Sequence, residues 1–374
     1  MASRVRRAIR LTSLAVLLVT TATLALEVVA RLTTARPATP WVPHPFFQVA
    51  RPRDYAPDRI DSDDPTKRFR YEVDAFGLRG RSLTTLEKPR GTYRIFFVGG
   101  STTENAYTPE ELTFPGLVES GLRAKLGANP RVEVGNAGIQ GGRSAHTLTQ
   151  LAVRLPPLAP DLYVVLDGLN DLLDSSRVPY DPTTYELALP LRPRFGDWLF
   201  ATSRLYALFE TGCGALREDD VREAFARRAK DRARKPFAAP ARDPGWNAPA
   251  FEAALRRAAA LASADGVALV LMTQPTLWKP SMSPGEEAVL WVGSQNRLNL
   301  EPRLLLAGMR AYNDAVRRVA REPGCLLVDL DAVVPKDLEH FFDDAHLTRK
   351  GNAAVAREVQ EVLLRDGALP RRVR

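Results

Sequence analysis

Of the four histidines in the chain (His44, His146, His340 and His346), the last sits in a run that suits proton transfer. In Phe342-Asp343-Asp344-Ala345-His346-Leu347-Thr348, Asp343 precedes His346 closely enough to orient the ring through one nitrogen. The other nitrogen is then free to take a proton from a hydroxyl. Val98-Gly99-Gly100-Ser101-Thr102-Thr103-Glu104 offers that hydroxyl at Ser101, behind two glycines that let the backbone turn and approach a ligand. Gly135-Asn136-Ala137-Gly138-Ile139-Gln140-Gly141-Gly142 has a use in pointing backbone N–H groups at the same place, with a plain strand-to-helix turn as the alternative. Asp167-Gly168-Leu169-Asn170-Asp171 offers the Asn170 amide as a further donor, with a turn asparagine as the alternative.

The same runs disfavour other chemistries. No Gly-Lys-Ser/Thr follows Ser101, as a phosphate loop would require, and the spacing G-x-G-x-x-G of a dinucleotide site is missing. The G-x-S-x-G elbow is absent, which argues against an α/β-hydrolase fold. There is no HExxH and no Cys/His cluster, so neither a metal nor a cofactor is expected. Cys213 and Cys325 lack metal or redox spacing; a disulfide and two unrelated thiols both stay open.

These residues need a frame. Short, almost continuously apolar runs at Tyr93–Val98, Val132–Gly135, Leu162–Leu166, Val267–Met272 and Leu326–Leu330 read as strands buried on both faces of a parallel sheet. Between them lie amphipathic stretches. Thr108-Pro109-Glu110-Glu111 reads as an N-cap, an N1 proline and a capping-box glutamate. Asn247–Asp265, Glu301–Glu322 and Thr348–Asp366 read as further helices. The alternation predicts an open α/β sheet with helices on both faces; the first three candidate segments follow strands at the carboxyl ends, where ligand crevices of such sheets form, and the fourth lies just before the last helix.

Two stretches interrupt the rhythm. Residues 175–249 contain no clear strand and hold the mixed-charge run Arg217–Lys235, so they read as a helical insertion. A solvated excursion is the simpler reading; a lid or a partner surface is the alternative. Trp278–Asn299, with Trp278, Met282 and Trp291, reads either as an aromatic rim of the site or as ordinary packing.

At the amino terminus, Arg4, Arg6, Arg7 and Arg10 precede an apolar run from Leu11 to Leu26 that resumes after Glu27. A helix from Leu11 to Thr33 reaches the ~20 residues a bilayer needs. Residues 1–34 are therefore a basic start followed by a transmembrane anchor, or a signal cleaved after Ala22 or Ala25. In both cases the arginines stay in the cytoplasm and the rest is exported. Residues 35–67 are a Pro-rich linker, a stalk or an arm packed on the domain, and residues 68–374 form the folded domain. With 374 residues and 45% hydrophobic content, the chain has room for one large domain plus additions, or for two modest ones. Its +8 charge, from 52 basic and 44 acidic residues, is dispersed, so nucleic-acid binding is not expected.

The four segments, in this order and spacing, resemble the conserved blocks of SGNH/GDSL hydrolases, over roughly Arg94 to Leu364. The resemblance implies a flavodoxin-like three-layer α/β/α sandwich around a central parallel sheet. It implies Ser101 as nucleophile, with Asp343 and His346 as the Asp-x-x-His pair. It also implies an oxyanion hole from the N–H groups of Ser101 and Gly141 and the side chain of Asn170. Gly100 stands where the family name has aspartate and Thr102 where it has leucine; this Gly-Gly-Ser-Thr form is similar to that of membrane-anchored bacterial members. The stretches Val73–Gly80 and Thr273–Pro280 are similar to stretches of such members too, without a role attached. The expected activity is ester hydrolysis through an acyl-enzyme, on a small-molecule or glycan ester such as an O-acetyl group or a small lipid ester. The alternatives are acyl transfer from the same site and a non-catalytic glycan-binding scaffold.

Overall fold

The computed structural model describes residues 2–34, 42–44, 47–53, 56–80, 83, 85–127, 130–176, 199, 202–212, 221–237, 246–294 and 299–369. They divide into two compact units, one of residues 1–39 with 190–218 and one of residues 40–189 with 219–374. Cys213 and much of the 175–249 insertion lie outside the described residues.

In the larger unit, β5 (Thr92–Gly99), β6 (Arg131–Gly138), β7 (Leu162–Leu166), β8 (Ala268–Met272) and β9 (Cys325–Val328) form one parallel sheet. Its order is β6-β5-β7-β8-β9. Helices α3 (Phe114–Leu126) and α10 (Arg349–Arg365) pack on each other beside β6 and β9. A second helical layer holds α4 (Ser144–Thr149), α5 (Leu169–Ser175), α8 (Ala248–Ala264) and α9 (Pro302–Val319). This is the flavodoxin-like three-layer sandwich, with its central strands Ile95–Val98 and Leu162–Leu166 almost wholly inaccessible. Chain order reverses between β5 and β7. At such a switch point two loops diverge and open a crevice at the strands' carboxyl ends. Ser101 follows β5 there, and Asn170 follows β7.

Two local expectations are corrected. Thr108 does not cap a helix: Glu110–Leu112 is a single 3₁₀ turn, and α3 begins later, where the Thr113 side chain accepts from the Gly116 N–H at 3.2 Å. Glu110, within that turn, pairs with Arg79 at 3.0 Å. Likewise β6 runs on past Gly135 to Gly138 before the turn begins. A Cβ on Gly138 would stand 2.1 Å from the Glu104 nitrogen, so this glycine serves close packing against the segment that carries Ser101.

The chain before the sheet packs on the domain as an arm. β1 (Val42–His44) pairs with β2 (Gln48–Ala50), and β3 (Asp58–Ile60) pairs with β4 (Arg68–Arg70), both antiparallel. The Arg79 N–H then donates to the Asn136 carbonyl, fastening the arm to β6.

The smaller unit holds α1 (Ala2–Thr33) and α6 (Arg204–Gly212). Within α1, Val5–Thr33 is long and apolar enough to cross a membrane, and its side chains are almost all exposed.

One buried ion pair ties β5 to β6. Arg94 and Glu133, both without exposure, meet at 2.8 Å, and Arg94 also donates to the carbonyls of Thr85, Leu86 and Leu158. Arg94→Met leaves Glu133 short of its principal cation in the core and is expected to cost about 3–5 kcal/mol in urea unfolding. Arg94→Met combined with Glu133→Leu should recover much of that loss. A single-variant cost under about 1 kcal/mol would show that the pair is not what holds this corner.

Candidate active site

Ser101 opens the one-turn helix α2 (Ser101–Glu104), and its Oγ lies 2.9 Å from Nε2 of His346. The other ring nitrogen, Nδ1, is 2.7 Å from Oδ2 of Asp343. The three side chains therefore form one continuous line from β5 to the loop before α10. Gly100 precedes the serine in ordinary extended backbone (φ −87°, ψ −153°), so conformation does not demand glycine. Space does. A Cβ at this position would come within 2.7 Å of Asn170 Nδ2 and 3.1 Å of the Gly142 carbonyl oxygen.

Asn170 stands in the first turn of α5 and donates from Nδ2 to the Gly142 carbonyl at 2.8 Å. Gly141 lies in the turn between β6 and α4, which the Gly142 N–H closes on the Ile139 carbonyl at 2.7 Å. Asp171 braces this arrangement by accepting from both the N–H and the hydroxyl of Ser144 at the start of α4. The neighbouring Asp167 is buried; burial, then the Asp171 charge, push it up to about 8. The loops bearing Ser101, Gly141 and Asn170 thus meet at one end of the sheet.

Asp343 is buried, and its Oδ1 accepts from the N–H groups of Ala345 and His346 at 2.9 and 2.8 Å. Its Oδ2 accepts from the Trp291 indole N–H at 2.8 Å as well as facing the imidazole. Burial pushes its pKa up, but the facing imidazole and these N–H donors outweigh that and hold it below the ordinary carboxylate range. Asp344 points elsewhere. It accepts from Trp278 Nε1 and from the N–H groups of Trp291 and Val292. Burial, then the Asp343 charge, push it up to about 7 against those donors. The two adjacent aspartates therefore differ in use: one faces the histidine, and the other fastens the loop that carries Trp291.

Trp278 and Trp291 are buried supports of this carboxylate pair and do not form an exposed rim. The mixed-charge segment also departs from the simpler expectation. Its helix α7 (Val221–Ala233) buries Phe225 and Ala229. The Phe225 ring stacks on His346 at 5.3 Å and on Trp291 at 5.0 Å. Tyr107 meets the imidazole edge-on at 5.3 Å, and Phe342 stacks on it at 5.7 Å. Sequence spacing gave no sign of Phe225, because a single inward residue per turn hides among exposed arginines.

The arm braces both sides of the crevice. Arg79 donates to the carbonyls of Glu104, Asn105 and Thr108, Arg59 to that of Ala106, and Tyr71 OH to the Glu104 carboxylate at 2.6 Å. Arg51 pairs with Glu104 at 3.0 Å. Asp63 accepts from the Arg349 N–H at the start of α10, and Asp61 pairs with the Arg349 side chain. Val73–Gly80 and Thr273–Pro280, without a role from sequence, thus support the serine loop and the aspartate loop respectively.

Among the described residues, one group has potential metal-ligand atoms within 4.8 Å of one another: Asp337, Glu339 and His340. Its members are engaged already, Asp337 with His340 at 2.7 Å and Glu339 with Lys350.

A family model, the GDSL-like Lipase/Acylhydrolase family, matches residues 97–354. Comparison with curated proteins gave no match. Among solved structures, the chain is similar to a variant of an acetyl-xylooligosaccharide esterase from Geobacillus stearothermophilus. Identity is 15%, over 72% of this chain and 94% of that one, with a TM-score of 0.44. It is also similar to a GDSL-like lipase from Bacteroides thetaiotaomicron, with 14% identity, 74% and 89% coverage, and a TM-score of 0.41.

Two outcomes follow from this geometry. Gly100→Ala should push the Asn170 amide aside and crowd the Gly142 carbonyl. With Asn170 as an oxyanion donor, as the resemblance implies, kcat for an ester is expected to fall by about 10²–10³, with little change in melting temperature. An unchanged kcat would mean that Asn170 is not needed where it stands. Separately, burial, then the Arg143 charge, depress His146 to about 4 from 6.5. Between those values the unfolded chain binds the proton and the folded chain does not, so stability falls as pH drops from 6.5 toward 4. His146→Asn offers an amide oxygen in place of the Nδ1 that accepts from the Arg143 N–H at 3.1 Å. Urea unfolding at pH 7 and 4.5 should show a smaller acid loss in the variant, by about 2 kcal/mol. An equal loss would sink the assignment.

Proposed function

Since this chain belongs to the GDSL-like lipase/acylhydrolase family and is a carboxylic ester hydrolase, we propose that Ser101 is its nucleophile, His346 the general base and Asp343 the residue that orients the base. The observation that carries this reading is the unbroken line from Ser101 Oγ through His346 to Asp343, at 2.9 and 2.7 Å. Nε2 removes the hydroxyl proton as Oγ attacks the ester carbonyl, and returns it to the departing alcohol oxygen. Water then attacks the acyl-serine by the same route. Asp343, kept ionised by its donors, stabilises the imidazolium formed in between.

The tetrahedral oxyanion is received by the N–H of Ser101, the N–H of Gly141 and the Asn170 amide. Ser101 is the first residue of α2, where an amide hydrogen has no partner within the helix. Asn170 Nδ2 carries two hydrogens, and one bond to Gly142 leaves the other for substrate.

Tyr107, Phe225 and Phe342 crowd the imidazole, which supports a small acyl group over a long one. The substrate class is accordingly a short-chain ester, such as an O-acetyl group on an envelope glycan or a small lipid ester. The long, exposed, apolar α1 supports an anchor in a bacterial inner membrane with the hydrolase on the outer side.

A fluorophosphonate probe should label the wild-type protein and not Ser101→Ala. Asp343→Asn should lower kcat by about 10⁴, since the ring then loses its correct tautomer. On p-nitrophenyl esters, kcat/KM should fall from acetate to octanoate; a rise would overturn the small-acyl reading. Incubation of an acetyl ester with and without a sugar acceptor tests water against an acceptor hydroxyl. Transfer exceeding acetate release would replace hydrolysis by acyl transfer, and absence of labelling in folded protein would leave a non-catalytic scaffold.

A further inference from the structure

Within the apolar stretch of α1, Glu27 is the one acidic residue, and its surroundings are specific. Its Oε1 accepts from the Arg204 N–H at 2.8 Å, and its Oε2 from the Leu205 N–H at 2.9 Å and the Ser203 hydroxyl at 2.8 Å. These are the free amides that open α6, so a carboxylate from α1 caps a helix more than 170 residues later in the chain. Arg31, one turn on, donates to Glu27 at 2.6 Å and to the Thr202 carbonyl. Ala30 and Ala207 are buried in the same unit, while Phe209, on the opposite side of α6 from Ala207, is 63% exposed.

A lone carboxylate near the end of a membrane span is expensive unless donors meet it. A cleaved signal has no need of such a partner. We propose that α6 is an interfacial helix, clipped to the retained anchor α1 by Glu27, with Leu205 and Phe209 seated at the headgroup–hydrocarbon boundary of the lipid bilayer. The proposal rests on the reading of α1 as a membrane anchor. It divides the insertion after α5 by role: α6 serves the membrane and α7 serves the active site. The lipid is chosen as occupant because the neighbouring α1 side chains Leu24, Leu26, Val28 and Val29 are 53–62% exposed on a helix long enough to span it. An exposed aromatic beside such a span matches the composition of membrane interfaces.

The test uses the full chain, with Cys213 and Cys325 replaced by serine, in phosphatidylethanolamine/phosphatidylglycerol vesicles. A nitroxide is placed at Phe209→Cys and, as a control, at Lys350→Cys. Power saturation should show the label at 209 accessible to oxygen and shielded several-fold from a water-soluble nickel chelate, relative to the label at 350. Ester hydrolysis should be unchanged. Adding Glu27→Ala should raise nickel access at 209 toward the control. Equal nickel access at both sites in the parent, in protein that pellets with the vesicles, overturns the placement of α6 alone. Protein released from vesicles, with an intact mass lacking residues 1–22 or 1–25, overturns the anchor and the proposal together.

Discussion

An ionised carboxylate with no access to water is stable only where donors replace its hydration. At Asp343 they come from two loops: the backbone at Ala345 and His346 on one side, and the Trp291 indole on the other. This demand fixes much else. Oδ2 is shared between the indole and the imidazole, so the ring of His346 has one direction to face, and Ser101 must lie along it. The Trp291 loop must in turn be held, and Asp344 does that by gathering three N–H groups from it and from Trp278. A sequence of two adjacent aspartates thus becomes a division of labour: one is kept charged toward the histidine, and the other spends its lone pairs on the loop that keeps it so.

The second constraint is mutual placement of the two sides of the crevice. Ser101 and His346 come from opposite ends of the sequence, and the sheet alone sets only the strands that lead to them. The arm supplies the rest. Its arginines and Tyr71 satisfy the carbonyls and the carboxylate of Glu104–Thr108, while Asp61 and Asp63 hold the first residue of α10. Buried polar groups of this kind are costly unless satisfied, so the loop and the arm hold each other in one arrangement. This is a reason for the Val73–Gly80 stretch to be present that has nothing to do with touching substrate.

The strands were legible because each is buried on both faces and reads as an unbroken apolar run; Ser101 and Asn170 stood out by following strand ends, whereas Asp343 and His346, well past β9, stood out by their closeness to each other. Asp343 was separable from Asp344 by its match to the Asp-x-x-His pair that the resemblance implies. What was not legible depended on long-range contact. Thr113, and not Thr108, caps α3, and the turn ahead of it is tied by Glu110 to Arg79, some 30 residues earlier. The strand read as ending at Gly135 because the glycines beyond it signal a turn, whereas Gly138 still lies in β6 and is small to admit the Glu104 backbone. Phe225 carries no local sign of its role, and Trp291 was legible only as a candidate rim, since a ring against the histidine is defined only once the loops have closed.

The glycine at position 100 shows how such a contact gives meaning to a departure from the family's usual first block. An aspartate there would bring a Cβ against the Asn170 amide, whose Nδ2 lies 2.7 Å from where that atom would stand. The backbone at Gly100 would accept any residue, so the exclusion comes from the donor beside it and not from the turn. With Gly100, the Asn170 side chain can lie close to the serine loop and still reach the Gly142 carbonyl. In this chain a side chain at position 100 would require the Asn170 amide to move away from where it now stands.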